Sequence, residues 1–162
     1  MTMPSRLLVE EVPAEDDTVK SVVKLLGGKR VLRKTVATPL DAHDLILNGL
    51  PSAALLHLAE TIVGLQVEQV LRRAIGVSIR TLQRRKENPQ PLSEEQGGRT
   101  WNFAEVLSQA TRVFGSQEEA ERWLNSSVLS LSGRRPIDLL ATPTGVEMVK
   151  TLLTQLEYGV YV

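Results

Sequence analysis

Hydrophobic residues recur at helical spacing along most of the chain, and glycine and proline divide them into short segments. The clearest stripe would lie along one side of a helix, and it comprises Val146, Val149, Leu152, Leu153 and Leu156. Similar patterns predict helices over residues 18–26 and 51–63. Residues 31–37 instead alternate loosely, which indicates either a short strand or an extended link. Taken together, the pattern predicts an all-α protein.

Residues that cap helix N-termini precede several of these segments. Thr38-Pro39 and Thr142-Pro143 each combine a threonine cap with a proline at the first helical position. The segments that start at Ser93 and Ser116 have the spacing of a capping box, in which a side chain three residues later bonds back to the cap. The sequence therefore predicts where these helices begin.

A proline-rich break at residues 88–91 is the best candidate for a domain boundary, because proline cannot continue a helix. It divides the chain into two helical parts, preceded by a segment with its own pattern. We predict an N-terminal arm with a short helix over residues 1–37, a helix-turn-helix domain over 38–91 and a small helical domain over 92–162.

The amino-acid composition favours a helical protein and excludes cysteine-based chemistry. Of the 162 residues, 42 % are hydrophobic but only 4 % are aromatic, which favours an aliphatic helical core over a β-sandwich. The chain has no cysteine, which excludes disulfides and thiolate chemistry and agrees with a cytoplasmic protein. No apolar run is long enough to predict a membrane span.

The sequence offers little catalytic chemistry. His43 and His57 are the only histidines, and His57 lies in an apolar stripe that is typical of packed side chains. No phosphate-binding loop or dinucleotide-binding fingerprint is present. We therefore predict that the protein is not an enzyme and needs neither a cofactor nor a metal.

Residues 70–82 resemble a helix-turn-helix. Gly76 can take the tight turn, and Val77, Ile79 and Leu82 can pack the second helix back onto the first. One departure is Arg72, which stands four residues before the glycine, where such motifs usually have a small residue. That departure indicates a looser helix crossing or a degenerate motif.

The second helix of this motif is strongly basic although the whole chain has a net charge of zero. Residues 66–86 contain six basic side chains and one acidic side chain. Side chains of this kind contact DNA phosphates and base edges. The candidate DNA contacts are Ser78, Arg80, Thr81, Gln83, Arg84 and Arg85. The alternative is a basic face that is solvated or binds a protein.

The C-terminal third resembles a known family over several blocks that occur in order. These blocks are Leu92–Glu95, Val106-Leu107, Ala110–Gly115, Trp123-Leu124, Leu131–Leu140 and Leu156–Tyr161. They resemble the toxin-binding domain of Xre-type antitoxins, the partners of RES-domain toxins. Residues 49–87 are similar to the helix-turn-helix domain of the same proteins.

The resemblance implies an all-helical, homodimeric antitoxin that binds a RES-domain toxin and blocks its NAD-consuming active site. It also implies binding to operator DNA and repression of the protein's own operon. The candidate toxin contacts form a basic loop and an apolar tail: Arg134, Arg135 and Pro136, and Tyr158, Gly159, Val160, Tyr161 and Val162. The alternative for the tail is that it folds back over the core. The alternatives for the protein are a transcriptional regulator without a toxin partner and a scaffold dimer.

Overall fold

The computed structural model describes residues 17–159, and all the regular secondary structure in this range is helical. The helices are α1 (Asp17–Leu25), α2 (Gly28–Leu32), α3 (Pro39–Asn48), α4 (Ser52–Thr61), α5 (Val67–Gln69), α6 (Ile79–Glu87), α7 (Glu94–Phe114), α8 (Gln117–Leu124), α9 (Pro136–Leu139) and α10 (Pro143–Glu157). Helix α5 continues as π-helical turns over Val70–Ile75, and a 3₁₀ turn spans Leu129–Leu131. The predicted all-α fold is confirmed.

Most of the predicted helix starts are confirmed by side-chain caps. The hydroxyls of Thr38, Ser93 and Thr142 each accept a hydrogen bond from the backbone N–H three residues later. At Thr38 the bond is reciprocal, because the Asp41 carboxylate accepts from the N–H groups of Ala37 and Thr38. Those two backbone bonds hold the pKa of Asp41 below its usual value.

Two details of the sequence prediction are wrong. Ser116 caps α8, but Glu119 does not complete a capping box, because its carboxylate bonds to Arg122 at 2.7 Å instead. The strand alternative for residues 31–37 also fails, since α2 extends to Leu32 and packs that leucine into the core. The rest of that segment is the extended link, which begins where Arg33 takes a left-handed backbone conformation with φ 58°.

Helix α7 lies at the centre of the described structure and packs against α1, α3, α8, α10 and the π-helical end of α5. Its buried positions point in several directions, as expected of a helix that is surrounded by others. They include Trp101, Phe103, Ala104, Val106, Leu107 and Ala110. The glycines at residues 97–98 do not interrupt it. Because α7 contacts helices on both sides of residue 91, the division of the chain into separate domains stays a prediction.

A buried carboxylate joins α8 to the loop between α4 and α5. Glu121 is 0 % exposed, and its Oε1 accepts hydrogen bonds from the backbone N–H groups of Val63, Gly64 and Leu65 at 2.9–3.0 Å. Gln117 donates from Nε2 to the other oxygen at 3.0 Å and to the Thr61 carbonyl at 2.8 Å. The Glu121 carboxylate is therefore fully hydrogen-bonded in the core, and it supplies a partner to the N–H group of the buried Leu65.

We predict that Glu121→Ala strongly destabilises the protein, because three backbone N–H groups and the Gln117 amide would lose their partner. The free energy of unfolding should fall by about 3 kcal/mol or more, measured by urea unfolding followed by circular dichroism. Glu118→Ala on the same helix is the matched control, since its side chain is 72 % exposed. Equal effects of the two variants would contradict the role assigned to Glu121.

Candidate functional site

The helix-turn-helix is built with an unusual first helix. The Gly76 N–H bonds to the Leu71 carbonyl at 2.6 Å, and this separation of five residues is the wider spacing of a π-helix. The Val77 N–H bonds to the same carbonyl at 3.0 Å. The extra residue in this turn places Leu71 in the core and Arg72 at the surface, where Arg72 lies 3.8 Å from Glu68. The departure at Arg72 therefore puts no charge between the helices.

Arg99 of α7 closes the end of this first helix. It donates from Nε to the Ala74 carbonyl at 2.7 Å and from Nη2 to the Arg73 carbonyl at 3.1 Å. A cation is favourable here because the last carbonyls of a helix carry partial negative charge. Gly76 follows with φ 83°, and a Cβ at this position would overlap the Arg99 guanidinium. The positive φ thus favours glycine at this turn, and a side chain here would also force the Arg99 guanidinium to shift.

Three of the six predicted DNA contacts serve the fold of the motif. The Ser78 hydroxyl caps α6 by accepting from the Thr81 N–H at 3.1 Å, and it lies 3.0 Å from the Thr81 hydroxyl. Arg85 donates from Nη1 to the carbonyls of Gln90 and Pro91, both at 3.1 Å. This side chain therefore holds the loop that follows α6.

The other three predicted DNA contacts lie together on the surface. Arg80, Gln83 and Arg84 are exposed and have i, i+3 and i+4 spacing, which places them on one face of α6. None of the three side chains bonds to another group in residues 17–159. They present two guanidinium groups and an amide, which can reach phosphates and the edges of guanine or adenine.

The predicted basic loop follows α8 and has a defined backbone. Val128 and Arg134 form an isolated bridge in which the Val128 N–H donates to the Arg134 carbonyl at 3.1 Å. Between them, the Leu131 N–H bonds to the Val128 carbonyl and the Ser132 N–H to the Leu129 carbonyl, each at 3.0 Å. These bonds hold the loop in one conformation.

The two adjacent arginines of this loop differ in their surroundings. Arg135 donates to both carboxylate oxygens of Asp138 at 2.9 and 3.1 Å, to Asn125 Oδ1 at 2.9 Å and to Gln69 Oε1 at 3.4 Å. The hydrogen bonds to Asp138 raise the pKa of Arg135 above its usual value. Arg134, in contrast, is exposed and its side chain has no bonded partner among the described residues.

Asp138 also connects the loop to the helix-turn-helix. One of its oxygens lies 3.8 Å from Arg73 Nε, near the end of the π-helical segment on which α9 packs. Asp138 stands in the first turn of α9. Its connections to Arg135 and Arg73 could not be predicted from spacing, because they depend on how α9 packs.

The remaining predicted toxin contacts fall into two groups. Pro136 is buried at the first position of α9. Tyr158 is 76 % exposed after the end of α10, and Gly159 is also exposed. Neither of these two residues covers the core, although core cover was one alternative for the tail. Val160, Tyr161 and Val162 lie outside the residues that the structure describes.

The histidines take no part in either surface. His43 is exposed on α3, and His57 Nδ1 lies 3.0 Å from the Leu25 carbonyl at the edge of an open cleft of about 540 Å³. Within residues 17–159, no three acidic or histidine side chains cluster as metal ligands do. None of the helices in that range combines the length and the apolar character that crossing a membrane requires.

Comparison with known proteins matches two parts of the chain to family models. Residues 41–105 match the antitoxin Xre-like helix-turn-helix domain, and residues 109–159 match the antitoxin Xre/MbcA/ParS C-terminal toxin-binding domain. An antitoxin Xre of Pseudomonas putida is 32 % identical over 124 residues, which cover 76 % of each chain. A Prs ADP-ribosylating antitoxin of Sphingobium is 30 % identical over 135 residues, covering 77 % of this chain and 83 % of the relative. These matches confirm the resemblance inferred from the sequence.

The junction between α9 and α10 depends on a close backbone approach. The Gly145 N–H donates to the Thr142 hydroxyl at 3.0 Å, and Gly145 packs directly against the backbone of Leu139. A Cβ at this position would overlap the Leu139 carbonyl. Glycine therefore allows α10 to lie beside α9, which in turn supports the basic loop.

We predict that Gly145→Ala destabilises the protein, because backbone atoms cannot move aside as a flexible side chain can. The loss should reach about 3 kcal/mol in the free energy of unfolding, seen as a lower thermal midpoint by circular dichroism. Gly98→Ala is the matched control, since a Cβ there meets open space in a helix. It should leave stability unchanged or raise it by up to about 1 kcal/mol. A Gly145→Ala midpoint equal to wild type would show that the junction tolerates a side chain.

Proposed function

Because this chain belongs to the Xre antitoxin family, we propose that it binds a RES-domain toxin and blocks the toxin's NAD-consuming active site. The domain matched over residues 109–159 is described as toxin-binding, which supports a toxin as the partner. The observation that carries the proposal is the exposed Arg134 guanidinium on a loop whose backbone is held by hydrogen bonds. The protein acts by binding in this proposal and is not an enzyme.

The two arginines of the loop have different roles in this proposal. Arg135 fixes the loop, because its guanidinium already bonds to Asp138 and Asn125. Arg134 contacts the toxin, where a guanidinium can bond a carboxylate with two parallel hydrogen bonds. Pro136 is a supporting residue, since it is buried at the start of α9.

The tail from residue 158 to 162 is the second toxin contact. Tyr158 extends from the end of α10 with most of its ring in solvent, so the aromatic surface is available to a partner. Aromatic side chains are prominent among the residues that dominate binding energy. The proposal extends this role to Gly159, Val160, Tyr161 and Val162.

Removal of residues 158–162 and the substitution Arg134→Glu should each weaken toxin binding by about tenfold or more. The measurement is calorimetric titration with a catalytically inactive RES-domain toxin, together with rescue of growth on co-expression with the active toxin. Arg84→Glu on α6 is the charge-matched control and should bind toxin as wild type does. If both changes leave affinity and rescue intact, the toxin surface lies elsewhere.

The exposed face of α6 supports a second activity, binding to operator DNA and repression of the protein's own operon. Arg80, Gln83 and Arg84 provide the chemistry for phosphate and base contacts, and the matched helix-turn-helix domain favours it. An operator with two half-sites would require two copies of α6, which agrees with a homodimer. In this proposal the homodimer is cytoplasmic and forms part of a larger complex with the toxin. A regulator without any toxin partner remains the alternative, and the calorimetric titration separates the two.

Replacing Arg80 and Arg84 with alanine should weaken binding to the promoter fragment and reduce its salt dependence. If both contact phosphates in each protomer of the dimer, four contacts are lost, and the slope of log affinity against log salt should fall by about 4. Fluorescence anisotropy over a salt series measures this slope. Arg122→Ala on α8 is the control, since that side chain is exposed but pairs with Glu119. An unchanged slope in the double variant would exclude phosphate contacts by this face.

A further inference from the structure

Leu129 is the large hydrophobic side chain most exposed in residues 17–159, at 93 %. It opens the 3₁₀ turn Leu129–Leu131 at the tip of the loop between α8 and α9. Leu131, two residues later, is only 5 % exposed. The turn therefore buries one leucine as its own anchor and directs the other into solvent.

The backbone around Leu129 is held by its neighbours. The carbonyl of Leu129 accepts from the Ser132 N–H at 3.0 Å, and the carbonyl of Val128 accepts from the N–H groups of Leu131 and Gly133, both at 3.0 Å. The Ser127 hydroxyl closes the loop by donating to the Gly133 carbonyl at 2.5 Å. A leucine presented on such a backbone would lose little conformational entropy on binding.

The flanking residues leave this side chain uncovered. Ser127, Ser130 and Ser132 surround Leu129 in sequence and are all exposed, and serine is too short to shield a leucine. The nearest exposed charge in the loop is Arg134, which belongs to the proposed toxin contact. A single exposed leucine is common on protein surfaces. Here it has a fixed backbone, short neighbours and a place within the range matched to a toxin-binding domain.

We propose that Leu129 is an apolar anchor of the toxin interface. It inserts into an apolar pocket of the toxin, and a carboxylate at the rim of that pocket pairs with Arg134. This inference rests on the proposed antitoxin function and adds a contact that charge and motif did not indicate. The toxin is the favoured occupant over a second copy of this chain, because the loop lies in the matched toxin-binding range and shares it with Arg134.

The test compares Leu129→Asp with Leu40→Asp in the full-length chain. Leu40 is the matched control, because it is also an exposed leucine, at 68 %, and it lies on α3 outside the toxin-binding range. Calorimetric titration with the inactive RES-domain toxin should show about ten- to hundredfold weaker binding for Leu129→Asp. Leu129→Ala should lose less, and Leu40→Asp should bind as wild type does. Unchanged circular dichroism and thermal midpoints would exclude unfolding as the cause.

Two results would overturn the inference, and they are distinguishable from failure of the proposed function. Wild-type affinity for Leu129→Asp would show that the leucine is not an anchor while leaving the antitoxin role intact. Unchanged toxin affinity per protomer with loss of self-association, measured by analytical ultracentrifugation, would assign Leu129 to a contact between copies. Absence of binding by the wild-type chain would instead reject the proposed toxin partner together with the anchor.

Discussion

The buried carboxylate of Glu121 joins α8, one of the C-terminal helices, to the loop that leads into the helix-turn-helix. A charged group without solvent is costly unless its hydrogen bonds are complete, and the loop over residues 63–65 completes them with three backbone N–H groups. The loop also depends on Glu121, because its N–H groups are not in a helix and cannot bond to helical carbonyls. These bonds hold the loop before α5 against α8, and α5 is the next helix along the chain.

Two further polar contacts hold the other end of the same segment. Arg99 binds the last carbonyls of the π-helical turns from the side of α7, and Asp138 approaches Arg73 from the side of α9. The segment from residue 63 to residue 75 is thus bonded to Glu121 of α8 at its start and to Arg99 of α7 and Asp138 of α9 at its end. The exposed face of α6 and the loop that carries Arg134 share no residue. The π-helical segment before α6 packs against α9, which follows that loop. The two surfaces that we propose for DNA and for the toxin therefore consist of different side chains.

Local signals in the sequence predicted the all-α class, most of the helix starts and the family, but they did not predict α2 or the features that depend on packing. Thr38, Ser93 and Thr142 cap helices through residues three positions away, so spacing alone reveals them. Ser116 has the same spacing, yet Glu119 bonds to Arg122 instead, since two partners compete for one carboxylate. The π-helical winding over Val70–Ile75, where Arg72 lies at the surface, was not predicted from residue spacing.

The loop over residues 127–135 shows why the candidate site was only partly predictable. Arg134 and Arg135 are identical side chains in adjacent positions, and only the helices around them decide that Arg135 bonds to Asp138, Asn125 and Gln69 while Arg134 faces solvent. Leu129 and Leu131 divide in the same way, one exposed and one buried. In both pairs the inward residue immobilises the backbone that presents the outward one. A rigid loop needs such inward residues, because exposed binding groups on a mobile chain would lose conformational entropy on association. The outward residues that we propose as toxin contacts and the inward residues that hold the loop are therefore interleaved, and chemical type alone cannot separate them.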